Sequence, residues 1–355
     1  MQDTESWGTD SAMGCILTVD LGGSKVSVGV LSEEGSLLGE FRSEGGNPYV
    51  IGMEQARQIV VQALLNAAAR MGFSPEQVAV VVGNVFVSST DDSFLRRIFP
   101  RAQIRLLSEP FLNIMLSLRG RPGYTVHSGT GSYVTWFDGE RIVCYGGFGR
   151  VFGDRGSGYE IGREGLLAAV AAEEGGPETM LTGLLCEQVG ARPEDGFLAR
   201  VRKMIWPTNR DSRGATAYFG SIAPLVSRAA GAGDAVAAAI LRRSARELAE
   251  YCQLLIEKCG CPAQGYYGTS GGVFAARHPE ETAEAGANTA SGAPAGGNLM
   301  LEYLMEELGK RYPALEYLSN DMALWQACYE CYRSDLNDPC RTYDYVLQYG
   351  PGKRC

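Results

Sequence analysis

The stretch Thr125-Val-His-Ser-Gly-Thr-Gly-Ser132, continued by Tyr133-Val-Thr-Trp-Phe-Asp-Gly-Glu-Arg-Ile-Val-Cys144, decides how the chain is read. Its β-branched and aromatic residues predict a strand, a glycine-rich turn, a second strand, a tight Asp138-Gly139 turn and a third strand. Much the same pattern occurs once before. Thr18-Val-Asp-Leu-Gly-Gly-Ser-Lys25 leads into Val26-Ser-Val-Gly-Val30, a Glu34-Gly35 turn and the run Leu37 to Phe41. Thr18, Val19 and Gly22 fall on Thr125, Val126 and Gly129 at one constant offset. A two-fold repeat of a hairpin with a glycine-rich first turn suggests two related domains, each offering a cradle of backbone N–H groups to phosphate. Either turn alone reads more simply as a plain hairpin; the repetition reverses that preference.

The chain has 355 residues, a length that favours two domains with a core each. Hydrophobic residues make up 45% and charged residues 21%, the balance of an ordinary globular protein. A net charge of −9 argues against a nucleic-acid partner but not against a nucleotide, whose phosphates backbone amides can hold. No apolar run approaches the roughly 18 residues of a membrane span, and no signal-peptide pattern opens the chain. The expectation is a cytoplasmic protein with no membrane partner. Its ten cysteines then read as reduced thiols rather than a disulfide framework. Cys328 and Cys331 fall in an apolar helical stretch, where thiols pack as small hydrophobes. With only two histidines, a His-rich metal centre is excluded.

Taken in order, residues 1–13 are polar and expected to be disordered, and a first domain is expected over 14–120. After its three strands, Met53 to Met71 carries Ala56, Ile59, Val60, Ala63, Leu64 and Ala67 at helical spacing. Val78 to Val82 reads as a buried strand, Asp92 to Ile98 as a short helix and Arg105 to Leu107 as a further strand. A second domain with a helical insertion is expected over 121–335. It holds the repeated hairpin, the glycine-rich run Gly146 to Gly158, helices from Glu160 to Glu173 and Asp234 to Glu257, and a strand from Gly265. Residues 284–297 read as a flexible loop, Leu299 to Arg311 and Asp321 to Arg333 as helices, and 336–355 as an irregular tail. The fold class is therefore α/β in two domains.

Neither the P-loop pattern nor G-x-G-x-x-G after a strand is present. Asp20-Leu-Gly-Gly-Ser-Lys25 offers a different device. The N–H groups of its turn and the Ser24 hydroxyl suit phosphate oxygens, Asp20 suits a hydrated Mg²⁺, and Lys25 adds positive charge. Ser128-Gly-Thr-Gly-Ser132 would clamp the same nucleotide from the other domain.

Five ordered motifs carry a resemblance: Asp20-Leu-Gly-Gly-Ser-Lys25, Ser128-Gly-Thr-Gly-Ser132, Gly146-Gly-Phe-Gly149, Gly153-Asp-Arg-Gly-Ser-Gly158 and Thr269-Ser-Gly-Gly-Val273. Together they resemble the motif set of N-acetylglucosamine kinases, within the BadF/BadG/BcrA/BcrD ATPase family of the actin, hexokinase and Hsp70 superfamily. The likeness runs from about Cys15 to Arg333. It implies two ribonuclease-H-like domains with a cleft between them that closes over ATP and a sugar, and a homodimer is the expected assembly. By this resemblance Asp20 serves Mg²⁺, while Gly22, Gly23, Ser24, Lys25, Gly129, Thr130, Gly131 and Ser132 hold phosphates. Gly271 and Gly272 lie against the nucleoside, and Asn47, Gly146, Gly147 and Asp154 match sugar-contacting positions. On residues alone, Asn47 and Asp154 also read as turn formers.

Two departures from the family pattern matter. Such kinases carry an Asp before the second hairpin as base toward the attacking hydroxyl. Here that segment is Leu107-Ser-Glu-Pro-Phe-Leu112, so Glu109 takes the catalytic place, with helix capping as its other reading. Arg155 stands where an acidic residue is usual. The expected activity is an ATP-dependent kinase acting on an amino sugar or N-acetylhexosamine. The alternatives are a non-catalytic sugar- or nucleotide-binding protein of the same fold and an ATPase activator of a radical dehydratase. The activator needs two Cys per chain near the second phosphate motif, where Cys144 stands alone.

Overall fold

The first hairpin of the repeat forms as its alternation demands. In a computed structural model, which describes residues 14–23, 25–46, 48–85, 91–192, 194–209, 212–275, 298–319, 322–334 and 338, β1 (Cys15–Leu21), β2 (Lys25–Ser32) and β3 (Leu37–Glu44) make an antiparallel meander. After the single turn α1 (Pro48–Ile51) and the long α2 (Met53–Arg70), β4 (Val78–Asn84) joins β1 in parallel. The helix α3 (Ser93–Ile98) leads to β5 (Gln103–Leu106), parallel to β4. The sheet order is β3-β2-β1-β4-β5. β1 and β4 are apolar almost throughout because both their faces are covered, as parallel central strands require. β3 is the edge and carries Glu40, Arg42 and Glu44 toward solvent, which blunts edge-to-edge pairing. Ala56, Val60, Ala63, Leu64 and Ala67 of α2 are the face buried in this unit's core.

The second unit repeats the arrangement. Beyond α4 (Glu109–Leu118), β6 (Gly123–Ser128), β7 (Ser132–Phe137) and β8 (Ile142–Gly146) form the meander. Five helices follow: α5 (Gly158–Glu173), α6 (Met180–Gln188), α7 (Phe197–Ile205), α8 (Ser212–Gly231) and α9 (Ala235–Cys259). Then come β9 (Gly265–Ser270), the short α10 (Gly272–Ala275), α11 (Leu299–Arg311) and β10 (Leu315–Tyr317). β9 runs parallel to β6 and β10 parallel to β9, so the order is β10-β9-β6-β7-β8. In both sheets the first strand is central, its meander lies to one side and its parallel partners to the other. That is the ribonuclease-H-like plan the family resemblance implies, written twice. Tyr124, Val126 and Val134 meet Ile161, Leu166, Ile222, Val226, Leu241 and Leu248 in the second core.

The compact units do not follow the chain linearly. Of the described residues, one holds those up to Leu112 together with 323–334 and Asp338; the other holds those from Asn113 to Met322, so the division falls inside α4. The C-terminal helix, Leu324–Arg333, was expected with the second domain but packs on the first. Its Ala327, Cys328 and Cys331 are fully buried. Tyr329 donates from its hydroxyl to Glu34 O at 3.1 Å, and Arg105 donates to the carbonyls of Tyr332 and Ser334 at 3.2 and 3.1 Å. Periodicity identifies the apolar face of a helix but not the sheet that face will cover. Burial pushes the Cys331 thiol up to about 12 and that of Cys328 well above its ordinary range, as expected of cysteines packed as hydrophobes. The strand β10 had no sequence signal, because three residues are too few to alternate. The expected segments 1–13 and 284–297, and 336–355 apart from Asp338, lie outside the described residues.

Replacing Ala327 by Asp would bury an unpaired carboxylate in the first core, at a cost of about 3 kcal/mol or more. Hydrogen exchange should then show lost protection on β1 and β4 while β6 and β7 keep theirs; unchanged protection on β1 would mean that the helix does not support this sheet.

Candidate functional site

In the second unit, the β6–β7 register runs to Ser128 opposite Ser132, leaving Gly129-Thr-Gly131 as the connecting loop. The N–H of Gly129 donates across it to Gly131 O at 2.9 Å. The loop is then tied to the start of α5 from three sides. Ser128 Oγ donates to Gly156 O at 2.8 Å, Ser132 Oγ to Arg155 O at 2.7 Å, and Gly158 N to Gly129 O at 2.8 Å. Ser157 caps α5 by accepting from Glu160 N at 3.2 Å, and Glu160 Oε2 accepts from Gly156 N at 2.6 Å. A glycine loop is thus bonded to a helix N-terminus, the combination that favours phosphate through aligned N–H groups and the helix dipole. The bonding roles of Ser128, Ser157 and Glu160 were not among the sequence expectations. The S-x-x-E spacing of Ser157 and Glu160 is the signal by which they were discoverable.

The strand β9 brings the third glycine motif to the same place. Gly271 follows the last residue of β9 with φ +97°, and a Cβ there would lie 2.2 Å from Ser128 O. Only glycine fits so close an approach. Gly272 opens α10 and is exposed, with open space where a Cβ would stand. On the β7–β8 side, Gly147 N donates to Ser132 O at 2.9 Å, and Gly146 has φ +98°. The structure therefore gathers Gly129 to Ser132, Gly146, Gly147, Asp154 and Gly271 around one end of this sheet.

Asp154 is 8% exposed and held at φ +55°, a conformation that non-glycine residues rarely adopt and that marks functional sites. Burial pushes its carboxyl pKa up, while the backbone N–H groups of Ser132 and Gly149 act in the opposite direction. A Cβ on Gly131 would meet Asp154 Oδ2 at 2.9 Å. Asp154 therefore touches the Gly129–Gly131 loop as well as belonging to the glycine run expected to face the sugar. Arg155 points to Glu250 at 3.3 Å, and its N–H donates to the Tyr251 hydroxyl at 3.3 Å.

In the first unit the equivalent turn is closed by Gly22 N donating to Lys25 O at 2.8 Å, and Gly46 N donates to Gly22 O at 3.2 Å. Asp20, near the end of β1, accepts from Asn84 Nδ2 at 3.0 Å through Oδ1. Burial pushes its carboxyl pKa up, opposed by the Asn84 hydrogen bond and the Lys25 charge. Among the described residues no hydrogen bond reaches its other oxygen. One carboxylate with an oxygen to spare fits Mg²⁺, which keeps waters and phosphate oxygens as its remaining ligands. Gly23 lies in the turn and Lys25 is exposed at the start of β2; Ser24 and Asn47 lie outside the described residues. Glu109 is the first residue of α4 and half-buried. Ser108 supplies the oxygen that accepts from Phe111 N at 3.3 Å, and it is itself held by Asp338, which accepts from Ser108 N at 2.6 Å and Oγ at 3.0 Å.

The close approach at Gly271 has a measurable consequence. Gly271→Ala should destabilise the second unit by about 2–4 kcal/mol, whereas Gly272→Ala should stay within about 0.5 kcal/mol. Urea unfolding of the two variants checks this, and equal stabilities would contradict the geometry.

An N-acetylmuramic acid/N-acetylglucosamine kinase of Clostridium acetobutylicum is 24% identical over 241 residues, 66% of this chain and 76% of the relative. A glucosamine kinase of Vibrio cholerae is 24% identical over 236 residues, 65% and 76% of the two chains. In structure, a candidate N-acetylglucosamine kinase of Porphyromonas gingivalis superposes with a TM-score of 0.60 at 16% identity, covering 90% of this chain and 100% of that one. A ROK family glucokinase of Streptomyces griseus, solved with glucose and AMPPNP, superposes with a TM-score of 0.54 at 16% identity, covering 89% of this chain and 97% of that one. These likenesses in structure establish the fold. Residues 17–282 match the BadF/BadG/BcrA/BcrD ATPase family as a whole, and the chain belongs to that family.

Proposed function

We propose that the protein is an ATP-dependent kinase that phosphorylates a hydroxyl of an amino sugar or N-acetylhexosamine. The observation that carries this reading is the Gly129–Gly131 loop, bonded to the N-terminus of α5 and approached by Gly271 as only glycine allows. The curated relatives that match over about two thirds of the chain are amino-sugar kinases, which supports the substrate class.

In this reading the turns formed by Gly22 and Gly23 and by Gly129, Thr130 and Gly131 hold the phosphates, with the N–H groups of Gly22 and Gly129 closing the turns and those of Gly23, Thr130 and Gly131 facing the ligand, and with Ser24, Lys25 and Ser132 beside them. Asp20 holds Mg²⁺, which offsets charge on the phosphate oxygens when bound. Gly271 and Gly272 leave room for the nucleoside. Asn47, Gly146, Gly147 and Asp154 bind the sugar. Glu109 takes the proton of the attacking hydroxyl, whose oxygen bonds to the γ-phosphorus as the bond from that phosphorus to the bridging oxygen of ADP breaks. Exclusion of water during transfer prevents hydrolysis of ATP. The protein acts as a cytoplasmic homodimer on a free sugar, with no nucleic-acid or membrane partner.

One observation favours a second reading. Glu109 is a methylene longer than the Asp usual at this place, and a displacement of about 1 Å in a reacting group can cost on the order of 10²-fold in rate. A protein that binds ATP and sugar without transfer would keep every other feature of the site.

A coupled assay of ADP release across hexoses, hexosamines and N-acetylhexosamines decides between them. The kinase should show release that depends on an amino sugar, and Glu109→Gln should reduce it about 10³-fold or more while ATP still binds. Binding without release in the wild type would establish the second reading, and near-normal turnover in Glu109→Gln would remove Glu109 as the base.

A further inference from the structure

His127 is one of two histidines in the chain, and none of the roles above uses it. It stands on β6 two residues before Gly129, with Tyr133 as its partner across the hairpin. The two rings stack, with centroids 4.8 Å apart and planes 21° from parallel. Tyr133 is itself held, since Asn113 donates from Nδ2 to its hydroxyl. On the other side, His127 Nδ1 lies 3.0 Å from Ser270 Oγ. Ser270 is the last residue of β9, immediately before Gly271. The nearest atom to a Cβ built on Gly129 is His127 Nε2, at 3.1 Å.

The position of this ring in the sheet is what makes it informative. His127 opposite Ser270 is the last register pair between β6 and β9. Beyond it both strands run into glycine turns, Gly129-Thr-Gly131 on one side and Gly271-Gly272 on the other. Ser128 and Ser132 tie the first turn to the start of α5, while the side-chain hydrogen bond that joins β6 to β9 just before both turns is that of His127 with Ser270. Burial pushes the imidazole down to about 4, so at neutral pH the ring is uncharged and has one donor and one acceptor nitrogen. Nδ1 shares a hydrogen bond with the Ser270 hydroxyl, and Nε2 is the edge next to Gly129.

We propose that His127 is a positioning residue for the nucleotide: through Ser270 and Tyr133 its ring fixes the spacing between the Gly129–Gly131 turn and the Gly271–Gly272 turn. The proposal rests on reading those two turns as parts of the ATP site. His127 acts on the nucleotide through the turns and not as a base.

The test is the affinity for ATP with Mg²⁺, measured by calorimetry for the wild type, His127→Asn, His127→Leu, Ser270→Ala and the Leu/Ala double variant, each with its melting temperature. Asn places an amide near the Nδ1 position and can keep the Ser270 contact, whereas Leu fills similar space without one. Leu should raise the Kd for ATP about 5- to 10-fold, the scale of one lost buried hydrogen bond, and Asn should stay within about 2-fold of the wild type. The double variant should be no worse than either single one, because both remove the same contact. Wild-type affinity in His127→Leu, or losses that multiply in the double variant, would overturn the proposal. So would affinities that merely follow the melting temperatures, which would mark the ring as a packing residue only. A wild-type protein that binds no ATP would overturn the functional reading and this assignment with it, an outcome distinct from variants that bind as well as the wild type.

Discussion

Two serine hydroxyls hold the second glycine loop in place. Ser128 and Ser132 flank Gly129-Thr-Gly131, and each donates to a carbonyl in the segment that opens α5, at 2.8 and 2.7 Å. A three-residue glycine loop without such ties would sample many conformations, and phosphate binding would have to offset that entropy. With them the loop, the helix N-terminus and the buried Asp154 form one bonded unit before any ligand arrives. Preorganisation of this kind is where binding sites for charged groups gain most, because little reorganisation is left to do on binding. The left-handed backbone of Asp154 is tolerated within the same bonded unit.

The chain carries a net charge of −9, yet its proposed ligand is an anion. Backbone dipoles, rather than a basic surface, make that possible. The turns present N–H groups, α5 contributes its N-terminus, and Lys25 adds a single exposed charge. Asp20 stands against this trend. Its burial already disfavours the charged carboxylate, so a bound divalent ion would stabilise it and allow phosphate oxygens to approach.

Much of this was legible in the sequence. The hairpin repeat pointed to two related domains, each with the same three-stranded start, because alternation and glycine turns are local signals that burial only reinforces. Asp154, Gly271 and the Gly129 loop were found as separate motifs, and their convergence follows once β9 pairs with β6. Other features depend on contacts that local patterns do not encode. The C-terminal helix Leu324–Arg333 shows an apolar face in the sequence, but only packing reveals that the face covers the first sheet. Ser108, read merely as a neighbour of Glu109, gains its place through Asp338, 230 residues away in sequence. His127 reads as an ordinary strand residue until the parallel register sets it opposite Ser270.

The proposed function requires that the two turns of the repeat both hold the phosphates of one nucleotide. Hydrogen exchange of the backbone amides with and without a non-hydrolysable ATP analogue and Mg²⁺ tests it most directly. Amides at Gly22 to Lys25 and at Gly129 to Ser132 should slow together, at the same analogue concentration. Slowing at one turn only, or at neither while the analogue binds elsewhere, would contradict it.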